Sequence, residues 1–136
     1  MNRTQRRLQS RAARQAAVRR VRIPVTGLRD EFGMSMHVNL RLLAYAPSAD
    51  AFESLAQVFN VVQVAIKDDA RHATEARIIT GGAAALVQIE SRVCRGVIPA
   101  DHEIAQVRVG VNAIDALMGK LDLSRLYGAM RELERM

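Results

Sequence analysis

Apolar residues in this chain return every three or four positions in run after run, a spacing that gathers them on one helix face. Leu28, Phe32, Met36, Leu40 and Leu43 form the first stripe. Ala46-Pro47-Ser48 interrupts it, with Ser48 suited to an N-cap and Asp50 placed where the helix dipole favours an anion. Phe52, Leu55, Phe59, Val62 and Ile66 make the next stripe, widened by Val58, Val61 and Ala65. Asp68 and Asp69 suit a turn or a helix start. A third helix is then expected from Ala70 to Arg95, with Ile79, Gly82, Leu86, Ile89 and Val93 inside.

Gly96-Val97-Ile98-Pro99 closes that helix, and Pro99 is suited to the first turn of the next. Ile104, Val107, Val111, Ile114, Met118 and Leu121 are the most regular stripe in the chain, with Asp101 and Glu103 complementing its start. Asp122 or Ser124 opens a short last helix carrying Leu126, Met130 and Leu133. Val, Ile and Thr do not collect in alternating runs, so no strand is expected. Short connections between consecutive helices favour antiparallel neighbours. The expected fold is therefore all-α, an antiparallel bundle of four to five helices with an Arg-rich N-terminal arm.

Ile23-Pro24-Val25-Thr26-Gly27 separates arm from bundle: Pro24 disfavours helix at Ile23, and Thr26 can cap the first helix of the bundle. The arm is residues 1–26 and the bundle domain 27–136. A chain of 136 residues is the size of one domain. Only 4% of it is aromatic, without a Trp, which argues against an aromatic-rich β-sandwich and against stacking platforms. One cysteine, Cys94, excludes a disulfide framework. No apolar run approaches the roughly 20 residues needed to span a bilayer. A reducing, cytoplasmic setting is expected.

The net positive charge is confined to one end. Arg3, Arg6, Arg7, Arg11, Arg14, Arg19, Arg20 and Arg22 lie in the first 22 residues with no acid among them, so that segment carries +8. Twelve of the 20 basic residues and all 14 acidic ones remain for the rest, which carries −2. A basic arm on a mildly acidic body is aimed at one acidic partner. Every cation of the arm is Arg, whose planar fork pairs with phosphate in bidentate fashion. Leu8, Ala12, Ala13, Ala16, Ala17, Val18 and Val21 lie between them, giving a segment that turns helical once neutralised. Two plainer readings are a solubilising tail and, because residues 1–22 are Arg-rich and acid-poor, a mitochondrial presequence. A membrane-surface helix fits poorly, since the arm lacks Trp, Phe and multiple Leu.

Catalytic and metal constellations are thin. A di-metal bundle needs several inward carboxylates with Glu-x-x-His pairs. Only His72 with Glu75 and the run Asp101-His102-Glu103 bring such groups together, both at expected helix starts. Cys94 reads as a buried structural cysteine. Gly81-Gly82 lacks the spacing and Lys of a phosphate-binding loop and reads as a close helix contact. Residues 104–117 loosely follow a helix-turn-helix, but Gly110 is one position late and the reading helix would carry Asp115 and no Arg before Arg125. No enzyme activity, metal or cofactor is expected.

The start Met1-Asn2-Arg3-Thr4-Gln5-Arg6-Arg7, the Ala/Arg-rich arm and the segment Ala46–Val62 resemble small helical accessory proteins of proteobacterial phages, plasmids and integrative elements. The resemblance implies a regulatory or accessory role in a mobile element and transfers no catalytic residue. Residues and resemblance together lead to a non-enzymatic, nucleic-acid-associated protein whose eight arm arginines contact phosphates without reading sequence. The alternative is a protein-interaction module that docks its arm on an acidic protein surface, inhibits a host protein, or self-assembles into a homo-oligomer.

Overall fold

A computed structural model describes residues 25–121 and 123–135, with 25–32 and 123 as backbone alone. Five α-helices follow one another: α1 (Val25–Tyr45), α2 (Ala49–Ile66), α3 (Ala73–Val93), α4 (Asp101–Met118) and α5 (Leu123–Glu134). A 3-10 turn, Ala70–His72, leads into α3. Among the described residues there is no strand. α1 packs on α2 and α4, α3 packs on α2 and α4, and α5 lies against α2. The first four helices thus close a ring, and α5 covers α2 from outside. Neighbours run antiparallel. Gln63 near the end of α2 meets Thr80 in the first half of α3 (3.4 Å), and Arg92 at the end of α3 meets Glu103 at the start of α4 (2.9 Å).

The stripes explain the packing. Met36, Leu40 and Leu43 from α1 are buried, as are Leu55, Phe59, Val62 and Ile66 from α2. Ile79, Leu86, Ile89 and Val93 from α3 meet Ile104, Val107, Val111 and Ile114 from α4. Leu126 and Ala129 anchor α5, with Met130 and Leu133 half-buried beside them. Leu28 and Phe32 of the first stripe belong to the part described as backbone.

Local chemistry sets the ends. The Ser48 hydroxyl accepts the Ala51 N–H at 3.1 Å, an N-cap bond. α3 ends in a pair of backbone bonds that wrap its last carbonyls: Gly96 N–H to Val93 O at 3.0 Å and Val97 N–H to Arg92 O at 2.9 Å. That wrap needs a left-handed residue, and Gly96 supplies it at φ +84.

Three helix starts differ from the sequence expectation. α1 is described from Val25, so Thr26 lies within the helix rather than ahead of it. α3 begins at Ala73, because Asp69 caps a separate 3-10 turn through the Arg71 N–H at 3.1 Å. Pro99 stands outside α4, whose cap is Ala100, because the Glu103 carboxylate reaches back to accept the Ala100 N–H at 3.0 Å.

The centre of the bundle is a contact between two glycines. A Cβ on Gly82 would fall 2.7 Å from the Cα of Gly110, and one on Gly110 would fall 2.9 Å from the Cα of Gly82. The backbones of α3 and α4 therefore nearly touch. Phe59 from α2 lies across the pair, 3.1 Å from the same Gly82 position. The aromatic ring fills the volume that two missing side chains leave.

Candidate nucleic-acid interface and the charge of the body

Arg3, Arg6, Arg7, Arg11, Arg14, Arg19, Arg20 and Arg22 lie outside the described residues. What the structure defines is the surface they are attached to. Five of its cations, Lys67, Arg71, Arg92, Lys120 and Arg125, face its own acids. Lys67, just past α2, donates to Glu132 of α5 at 2.7 Å. Asp69 has a nearly buried side chain, 8% exposed, and accepts both from the Arg71 guanidinium at 3.1 and 3.2 Å and from Arg125 of α5. The hydrogen bonds from Arg71, then from Arg125, hold the Asp69 carboxyl well below the usual carboxylate range.

Arg92 and Glu103 form a two-pronged pair where α3 turns into α4, with one prong at 2.9 Å. The Arg92 hydrogen bonds, followed by the Ala100 N–H, pull the Glu103 carboxyl down to about 2. Lys120 stands 4.0 Å from Glu75. Arg41 lies over the Tyr45 ring at 5.9 Å from its centroid, and Arg95 donates to the Ser91 carbonyl at 2.9 Å. Arg77 and Arg108 are exposed on different helices.

The sequence-derived constellations separate. The helix-turn-helix reading of residues 104–117 is overturned: they form one unbroken helix, α4, with Gly110 buried against Gly82 and no turn between two helices. Arg125, the first basic residue after that stretch to be placed on a helix, faces Asp69. His72 packs beside Asp69, Nε2 at 4.0 Å from its carboxylate, with Nδ1 buried and lacking a hydrogen-bond partner. Glu75 is drawn instead toward Lys120. Among the described residues no group of three or more His, Cys, Asp or Glu is placed to hold a metal ion. No described helix is long and apolar enough to cross a membrane.

Two surface features lie outside the sequence expectations. α1 carries a second apolar stripe opposite its core face: Met34 (68% exposed), Val38, Leu42 and Tyr45 (75% exposed). The sequence does show these residues at helical spacing, but the buried stripe of the same helix masks them. The other feature is a groove of about 250 Å³ between α2, α3 and α5, whose lining includes Glu53, Glu90 and Glu134. Compared with protein-family models, with curated proteins and with solved structures, the chain matches none of the three.

Proposed function

We propose that this chain is a non-enzymatic nucleic-acid-associated protein, a regulator or accessory factor of a bacterial mobile element working in the cytoplasm, whose arm arginines grip phosphates. One observation carries the reading: the molecule separates its charge. The arm has eight arginines and no internal acid, whereas the body sums to −2 and sets Lys67, Arg71, Arg92 and Arg125 against its own carboxylates. An unneutralised run of guanidinium groups draws a polyanion, and phosphate contacts of this kind position a protein without reading bases.

If about six arginines engage phosphates, log K falls with log salt at a slope near −5. Arg6→Ala with Arg7→Ala, and separately Arg19→Ala with Arg20→Ala, should each weaken binding and shallow that slope by nearly two units on DNA of any sequence. Arg108→Ala should change little. Fluorescence anisotropy over a salt series reads all of these. Tight binding by both arm variants, or no binding by the wild type at about 50 mM salt, would overturn the reading.

A protein-interaction role is the second reading, and the outer stripe of α1 favours it. Single exposed apolar residues are ordinary, but four aligned on one helix are a feature of contact surfaces. Under that reading excess unrelated DNA leaves a captured protein partner bound, whereas nucleic-acid bridging is stripped by it.

A further inference from the structure

We infer that the groove between α2, α3 and α5 is the docking site of the arginine arm of the same chain. Its lining combines apolar Phe52, Met130 and Leu133 and polar Gln57 and Asn60 with the carboxylates of Glu53 from α2, Glu90 from α3 and Glu134 from α5. Among the described residues no Lys or Arg lines it. Apolar side chains interspersed with three separated carboxylates suit a side chain with an aliphatic stem and a cationic, forked head, which describes arginine. A phosphate backbone is repelled by the same carboxylates.

The chain carries its own segment of that chemistry. Residues 1–22 hold eight arginines and no acid, with Leu8, Val18 and Val21 interspersed to cover apolar surface. The geometry permits the reach. The arm joins the body at Val25, and antiparallel pairing places that end of α1 beside the C-terminal end of α2. The groove lies along α2 from Phe52 to Val61. From Val25 back to Arg14 an extended chain spans up to roughly 36 Å. The whole of α2 is only about 27 Å long. Tethering favours the arm of the same molecule over that of another copy, because covalent linkage raises the arm's local concentration at its own body. A docked arm is withheld from weaker polyanions and released to stronger ones.

Trypsin, which cuts after arginine, reads the docking in the intact chain without any nucleic acid. At low salt, cleavage within residues 1–22 is followed by mass spectrometry for the wild type, for the triple variant Glu53→Gln/Glu90→Gln/Glu134→Gln, and for the single variant Glu90→Lys at an exposed position. The expected result is arm cleavage several-fold faster in both variants, cleavage after Arg77 unchanged, and unchanged helical circular dichroism. Raising the salt should bring the wild type up to the variants' rate. Equal arm cleavage in all three proteins at low salt would overturn the proposal. Protection that deepens with protein concentration would overturn it too, since the arm would then be seated on a second copy. A failure here leaves the phosphate-binding reading untouched, because that reading is tested by anisotropy on DNA.

Discussion

Gly82 and Gly81 are neighbours in sequence and opposites in consequence. A methyl group on Gly82 would meet the Gly110 backbone at 2.7 Å, whereas nothing lies within 4 Å of one on Gly81. Overpacking costs about 1–3 kcal/mol, and replacing a helical Gly by Ala returns about 1 kcal/mol of propensity. Gly82→Ala is therefore expected to lower the melting temperature by a few degrees, and Gly82→Leu by more, while Gly81→Ala should raise it slightly. Circular-dichroism melts of the three variants check this, and a neutral Gly82→Leu would place the residue away from the contact. The inner position of Gly82 is legible in the sequence because it falls on the stripe of Ile79, Leu86 and Ile89. The role of Gly110 is not legible, because it depends on which residue of another helix arrives opposite.

At the scale of the element, the start of α2 was legible, whereas the starts of α3 and α4 were not, although the bonds that set them are just as local. Ser48 follows a proline and precedes an apolar run, and its capping bond spans three residues. Ser48→Ala should cost about 1 kcal/mol and lower the melting temperature accordingly, by scanning calorimetry. Glu103 reads in the sequence only as an acid near a helix start. In the structure it also receives Arg92 from the preceding helix, fixing the turn between α3 and α4. Its carboxyl titrates lower in the folded chain than the ordinary 4.5, so its contribution is complete above that value and is lost as the pH falls toward about 2. The gap in melting temperature between wild type and Glu103→Gln should be open near neutral pH and close over that acid range. A gap that persists unchanged through it would show the pair contributes nothing through its charge.

For the whole molecule, the separation of a cationic arm from a near-neutral body is legible by counting, since charge needs no fold to be summed. The groove is not, because Glu53, Glu90 and Glu134 come from three helices and share no spacing. The described core is built from helices α1 to α5, with stripes that close on one another. Deleting residues 2–22 should therefore preserve helical circular dichroism and a cooperative melt, and loss of the melt would make the arm part of the core. The glycine contact also governs how the helices are aligned lengthwise. If α3 slid by one turn against α4, Leu86 or Ile79 would replace Gly82 opposite Gly110, forcing a branched side chain into a gap that refuses a single carbon. The two glycines thus act as key and keyway: they admit one alignment during assembly, the same one that brings Arg92 level with Glu103.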